Sequence, residues 1–214
     1  MIRHHADLIQ GSEEWLAARC GLLTASEMKL ILTPTLAIAR NEHTRAHVYE
    51  LLAQRISQYV EPHYISADML RGQEDEIEAR ALYAQHYAPV EEAGFITNDR
   101  WGFTIGYSPD GLVGADGLIE CVPAKRAPSD YLLQVQTGLL VSERSWCDLV
   151  SYSGGLPLAV IRVHPMPEVQ EAILAAAQDF EAKVAAGLAT YRDVLADLRP
   201  IPTERRIEQE MFVA

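Results

Sequence analysis

Asp110 and Glu120 stand ten residues apart on either side of a glycine-rich turn, within the segment TIGYSPDGLVGADGLIECV that spans residues 104–122. The segment reads as a strand, a bend at Pro109, a short strand, a turn and another strand. Directly opposed residues on adjacent strands have Cβ atoms about 5 Å apart, so two such carboxylates can hold a divalent cation between them. Magnesium suits a site of this kind, with hard oxygen ligands, few protein carboxylates, and room for waters and phosphates. Side chains alternate along a strand, so the turn decides whether the acids meet. A two-residue loop at Ala115-Asp116 would set Asp110 opposite Cys121 and turn Glu120 away. A three-residue loop centred on Ala115 sets Asp110 opposite Glu120, with Gly117 in the left-handed position of a bulge. The odd loop is the expectation taken here. A plain surface hairpin with solvated acids fits the spacing equally well.

The elements that must position these acids follow from the chain on both sides. Ser12 caps a helix with Glu13 and Glu14 in its first turn, ending near Gly21. Ser26 caps a second helix, 27–32. A hydroxyl and free amides at a helix start can seat a phosphate, and ordinary capping explains Ser26 as well. Arg40–Tyr59 is read as helical, with Val48, Leu51, Leu52 and Ile56 inward. Its Arg40 and Arg45 either meet phosphates or face water. Ser66–Tyr87 is a further helix, on which Glu76, Ala79, Arg80 and Tyr83 share one stripe. There Glu76 either pairs with Arg80 across one turn or adds a third carboxylate to a metal site.

Residues 90–97 and 101–107 read as strands joined by a turn at Asn98-Asp99-Arg100. Ser129 caps a helix, 130–141, with Leu132, Val135 and Leu139 inward and with Gln134 and Gln136 on different faces. Strands are expected at 146–152 and 158–164. A long helix covers 165–198, with Val169, Ile173, Ala176, Phe180, Val184, Leu188 and Tyr191 buried. The tail, 199–214, is weakly specified and carries Arg205-Arg206. No repeat or linker divides the chain, so one domain over 1–214 is expected, of α/β (α+β) class, with helices flanking a mixed central sheet.

The bulk properties bound the function. The chain has 214 residues, 49% of them apolar and 22% charged, a globular profile. No apolar run is long enough for a bilayer, and the N-terminus has no apolar core like that of a signal peptide, so a cytoplasmic protein without a membrane partner is expected. Cys20, Cys121 and Cys147 lack metal-ligand spacing and are read as reduced, mostly buried thiols. A net charge of −12 argues against broad coating of nucleic acid. It leaves room for a basic groove, or for a metal that turns local acidity into phosphate affinity.

Taken together, four pieces in order resemble the lambda-type phage alkaline exonucleases, a branch of the PD-(D/E)xK nuclease superfamily. They are Gln10–Arg19 with Thr24-Ala25-Ser26, then Gly72 with Glu76 and Ala79-Arg80, then Ser108-Pro109-Asp110-Gly111 with Leu118-Ile119-Glu120, then Gln134-Val135-Gln136 with Trp146-Cys147-Asp148. The resemblance covers roughly residues 9–165 and implies a PD-(D/E)xK nuclease-like core. It implies that Asp110, Glu120 and the Cys121 carbonyl ligate Mg2+, with Mn2+ tolerated, and that Glu76 supports the ion's waters. It further implies that Arg19, Ser26 and Ser108 hold phosphates of the scissile strand or its 5′ end. One glutamine of the pair Gln134 and Gln136, with Gln136 preferred, would orient a catalytic lysine. The implied activity is digestion of one strand of linear duplex DNA from its 5′ end, leaving a 3′ overhang. The implied partners are duplex DNA ends, two further copies in a ring-shaped homotrimer, and a single-strand annealing protein. The implied setting is a bacterial cell in which a phage or prophage encodes the chain.

One departure matters physically. The family carries Glu-x-Lys, and position 122 is Val122. That lysine activates or places the attacking water, and valine has no proton or charge to offer. The stretch from Glu120 to Gln134 is also shorter than in the family. Lys125 or Arg126 could substitute, the chain could bind DNA ends without cutting, or a lysine-bearing loop between Cys121 and Val122 could be missing from the sequence. The approach of Val122 onward to the glutamine helix favours the third account. A DNA-end-binding protein, a restriction-type endonuclease on the same fold and a non-nuclease α/β domain are the alternatives to the exonuclease.

Overall fold

The computed structural model describes residues 1–61, 67–124 and 128–204. Lys125, Arg126, Ser66 and Arg205-Arg206, which figure in the expectations above, lie outside them. In chain order the elements are β1 (Ile2–His5), α1 (Glu13–Arg19), β2 (Leu23–Thr24), α2 (Met28–Ile31), α3 (Glu42–Ser57), α4 (Ala67–His86), β3 (Phe95–Asn98), β4 (Ile105–Tyr107), β5 (Gly111–Val113), β6 (Gly117–Pro123), α5 (Leu132–Ser142), β7 (Trp146–Tyr152), β8 (Ala159–Val163) and α6 (Pro167–Ala196). The fold is mixed α/β. Its strands form two four-stranded sheets, ordered β1-β3-β4-β2 and β5-β6-β7-β8. The expected single central sheet is thus divided at the Pro109 bend between β4 and β5.

Both sheets are mixed. β2 runs parallel to β4, while β1, β3 and β4 pair antiparallel. β6 and β7 are parallel, with α5 as the crossover that parallel neighbours require. On β6 the alternation is sharp. Leu118 and Val122 enter the main core with Val135 and Leu139 of α5 and with Ile173 and Phe180 of α6. Ile119 enters a second cluster with Ala79 and Tyr83 of α4. Glu120 therefore sits between Leu118 and Val122 on the face that otherwise buries hydrocarbon, and a side chain of this size buried there contributes roughly 1.5–3 kcal/mol when it is apolar.

The hairpin has the odd loop. Gly111 pairs with Ile119, Leu112 with Leu118 and Val113 with Gly117, leaving three residues centred on Ala115. The left-handed residue is Gly114, at φ +54°, and not Gly117 as expected. Gly117 serves a different need: a Cβ there would lie 2.2 Å from the Trp146 indole packed across the parallel pair.

Other differences have equally local causes. Ser12 caps α1 by accepting from the Trp15 amide, as expected. The next turn is capped by Thr24, two residues ahead of the expected Ser26. Ala25–Glu27 form a 3-10 turn there, and the Glu27 carboxylate accepts from both the amide and the hydroxyl of Thr24. Residues 90–94 contribute only one bridge, Glu91 with Leu112, before β3 begins. Gly94 there presses so closely on the Leu8 carbonyl that a Cβ would fall 2.0 Å from it. β1, which the sequence did not announce, pairs along β3. On α6 the stripe from Val169 to Val184 is buried, whereas Tyr191 is exposed because the last turns extend past the core. All three cysteines are free thiols, with Cys147 buried.

The strand β6 passes from Cys121 to Val122 without interruption, opposite Val150 and Ser151 of β7 in consecutive register. Val122 continues the strand and is 3% exposed.

Candidate functional site

β5 and β6 bring the two acids together. The register that pairs Gly111 with Ile119 places Asp110 opposite Glu120 one step further along. Both are buried, Asp110 at 7% exposure and Glu120 at 3%. Asp110 Oδ2 accepts from the Cys121 amide at 2.6 Å, which fixes the carboxylate across the strands. Arg80 of α4 donates to the Asp110 carbonyl at 2.8 Å and reaches Glu76 Oε1 at 3.4 Å. One guanidinium thus ties the helix carrying Glu76 to the bend carrying Asp110. Glu120 Oε2 accepts from the Tyr107 hydroxyl at 2.9 Å, and Oε1 accepts from Gln134 Nε2.

The electrostatics describe a cluster with excess negative charge. Burial, then the neighbouring Glu76, push the Asp110 carboxyl up to about 8, against smaller opposing effects of the Cys121 amide and Arg80. Burial and the charge of Asp110 push Glu120 well above the carboxylate range, against the Tyr107 and Gln134 hydrogen bonds. Glu76 is raised by burial, with Arg80 opposing and Glu92 reinforcing. Two buried carboxylates side by side repel each other, and a cation between them removes that penalty.

The donor set fits a hard divalent ion. Each Glu120 oxygen keeps a second lone pair beyond its hydrogen bond. Among the described residues no group of three or more His, Cys, Asp or Glu side chains is close enough to share an ion, so the protein would contribute two carboxylates. That number matches magnesium's habit of keeping several waters and substrate oxygens in its shell. The Cys121 amide lies at the site through its bond to Asp110.

The expected phosphate-binding residues lie along one path toward the bend. The Arg19 guanidinium stacks over the Trp15 ring at 4.2 Å and donates to the Thr24 hydroxyl at 3.2 Å. Trp15 Nε1 donates to Ser108 Oγ at 2.9 Å, two residues before Asp110. Indole is a donor only, so Ser108 accepts there and its own proton is free for another oxygen. Ser26 is exposed, with its hydroxyl 3.4 Å from that of Thr24.

The glutamines divide differently from the expectation. Gln134 meets Glu120. Gln136 is fully buried elsewhere: its amide donates to the His164 carbonyl at 2.8 Å and accepts from the Met166 amide at 2.8 Å. It clamps the turn from β8 into α6. Positions two apart on a helix face roughly opposite ways, so only one of the pair can look into the site. Sequence reasoning also missed Tyr107 as a Glu120 partner and Arg80 as the link between Glu76 and Asp110. A tyrosine three residues before an acid on a bend was the available signal for the first.

Val122, two residues beyond Glu120, shares its face and is packed among apolar side chains. The lysines among the described residues are remote in sequence: Lys29 is on α2, and Lys183 on α6 pairs with Asp179 at 2.6 Å.

Comparison with known proteins identifies the family and the fold. The YqaJ-like viral recombinase domain matches residues 14–145, more than half of the chain. LHK-Exo in complex with dAMP is 30% identical, with a TM-score of 0.77 over 88% of this chain and 100% of that one. The alkaline exonuclease LHK-Exo from Laribacter hongkongensis is 29% identical, with a TM-score of 0.76 over the same shares. A phage-related exonuclease from Haemophilus somnus 129PT shares the fold at 12% identity and a TM-score of 0.55, over 78% of this chain and 96% of that one. No curated protein matches the chain. With its acids paired across the odd hairpin and a family match that runs through the whole of α5, this chain belongs to the YqaJ-like viral recombinases, within the lambda-type alkaline exonuclease family of nucleases.

Proposed function

We propose that this protein is a magnesium-dependent deoxyribonuclease, with manganese tolerated, that digests one strand of linear duplex DNA from its 5′ end. The product is a 3′ single-stranded overhang for an annealing recombination protein. The chain acts as one nuclease domain within a ring-shaped homotrimer in the cytoplasm of a bacterial host. The observation that carries this reading is the direct opposition of buried Asp110 and Glu120. The relative crystallised with dAMP supports it, since a nucleoside monophosphate is what strand digestion releases. A closed ring also reconciles a net charge of −12 with retention of DNA, because topology replaces electrostatic grip.

In this reading Asp110 and Glu120 hold the ion. When bound, the ion supplies positive charge to the phosphate as its own charge develops. Gln134 and Tyr107 orient Glu120 through its two oxygens, and Arg80 holds Glu76 beside the bend. Arg19, Ser26 and Ser108 hold phosphate oxygens and so aim the strand at the acids. Val122 offers no group to take a proton from water, which lowers the rate this chain reaches.

That valine favours a second reading, a protein that binds DNA ends without cutting them. Digestion of linear and closed-circular duplex, with Mg2+ and with EDTA, separates the readings. Exonuclease action releases nucleotides from the linear form only and stops in EDTA. Binding to linear DNA with no release supports the end-binding reading. Cutting of circles supports a restriction-type endonuclease and overturns ours.

A linked measurement follows from the raised carboxyls. Asp110 has a folded-state pKa above its unfolded one, so the folded protein holds more protons. Without metal, stability should therefore rise as pH falls from about 8 toward the unfolded carboxyl pKa of about 4, and fall as pH rises through about 8. Added Mg2+ should raise Tm more at pH 8.5 than at pH 6, with proton release on binding at pH 7. Equal Mg2+ shifts at both pH values would contradict a site made of these carboxylates.

A further inference from the structure

We infer that Glu27 is a positioning residue for phosphate recognition, acting on Arg19 through the Thr24 hydroxyl. The inference rests on the assignment of Arg19, Ser26 and Ser108 to phosphates of the DNA end. Glu27 Oε2 accepts from the Thr24 hydroxyl at 2.8 Å and from the Thr24 amide at 2.8 Å. A carboxylate can only accept, so it takes the Thr24 proton and leaves that oxygen as an acceptor. The acceptor lone pair is what Arg19 Nη2 uses at 3.2 Å. Thr24 is 2% exposed, so its hydroxyl has little access to water as an alternative partner.

The relay does something a direct ion pair would not. Arg19 makes no salt bridge among the described residues. Its guanidinium is held flat by the Trp15 ring and at one edge by a neutral oxygen. Direct pairing with a carboxylate would neutralise the cation and occupy the fork that matches phosphate. The interposed hydroxyl fixes orientation and leaves the remaining N–H groups for an anion. Burial lowers the Arg19 pKa and the charge of Glu27 partly offsets that, which is the electrostatic side of the same arrangement.

Glu27 is itself braced. His47 of α3 is 3% exposed, with Nε2 3.7 Å from Glu27 Oε2 and Nδ1 3.0 Å from Glu50 Oε2. Its ring packs against Phe180 at 5.2 Å between centroids. Among the described residues Nε2 is buried without a hydrogen-bond partner, with Glu27 Oε2 3.7 Å away. The wall formed by His47 and Phe180 keeps the carboxylate turned toward Thr24.

The test compares binding of duplexes carrying 5′-phosphate or 5′-hydroxyl ends, by fluorescence anisotropy in EDTA, for the wild type, Glu27→Ala, Glu27→Gln and Thr24→Val. The wild type should prefer the phosphorylated end by about 10-fold or more, the scale of one charge-assisted hydrogen bond. Glu27→Ala should abolish that preference and leave affinity for the hydroxyl end unchanged. Glu27→Gln should keep most of it, since the amide oxygen still accepts from Thr24. Thr24→Val keeps the shape of a buried residue and loses only the hydroxyl, so it should match Glu27→Ala even if that variant folds poorly. No preference in the wild type, a preference kept in Thr24→Val, or equal loss for both ends would overturn the inference. Because nothing is cut in this experiment, its outcome is separate from whether the protein is a nuclease.

Discussion

Asp110→Ala protein should release no measurable nucleotide from linear duplex in Mg2+, a loss of at least about 10³-fold, as expected when an ion that stabilises transition-state charge loses a ligand. The fold should survive. Asp110 is raised to about 8 because its charged form is disfavoured in the metal-free protein, so removing the carboxylate relieves repulsion with Glu120 and Glu76. The cost is the hydrogen bond to the Cys121 amide. That bond is worth about 1 kcal/mol net, and an unsatisfied buried amide costs somewhat more. Asp110→Asn keeps an oxygen for that amide and loses the charge. Its metal-free Tm at pH 8.5 should therefore equal or exceed that of the wild type, while its activity falls as far as in the alanine variant. Digestion retained in either variant, measured beside wild type by acid-soluble nucleotide release, would remove Asp110 from the site.

Val122→Lys should act in the opposite direction and raise the digestion rate by about 10²-fold or more, the scale of a positioned proton-transfer group. Side chains two apart on a strand share a face, so an amine at 122 projects toward Glu120. Val122 is almost fully buried in the main core, so the gain comes with a loss of stability. An ammonium there must be paired or lose its proton. The neighbouring Glu120, whose charged form is disfavoured at present, offers that pairing. Val122→Met is the control, similar in reach but uncharged, and should bring no gain. Faster digestion by the lysine variant alone identifies position 122 as the place where this chain lacks a catalytic group. Equal rates in wild type and Val122→Lys would mean that another residue already supplies it.

The parts of this protein that sequence reveals are those fixed by local rules. The hairpin takes the odd loop over Gly-Ala-Asp between Val113 and Gly117, one of the two loops that the spacing allowed, and this loop turns both acids to one face. The cap at Ser12, the strand 146–152 and the long C-terminal helix also depend on nearby residues and periodicity. What escaped depends on packing between distant segments. Thr24 displaces Ser26 as the cap because Glu27 turns back onto it, with His47 behind. Gln134 and not Gln136 meets Glu120, since the roll of α5 is set by its contacts with the sheets and α6. β1 is short and two of its four residues are histidines, so no apolar alternation marks it. The division into two sheets follows from the bend at Pro109, whose position is plain in the sequence and whose consequence is not. The same limit applies to Gly117, read as a turn glycine when the Trp146 indole requires it.

If Asp110 and Glu120 share one divalent ion, anomalous diffraction from crystals soaked in Mn2+ will locate it. A single strong peak is expected between the two carboxylates, about 2.0–2.3 Å from an oxygen of each, and it should be lost in Asp110→Asn crystals. A peak bound elsewhere on the chain, or none between these two side chains at saturating Mn2+, would contradict a shared ion.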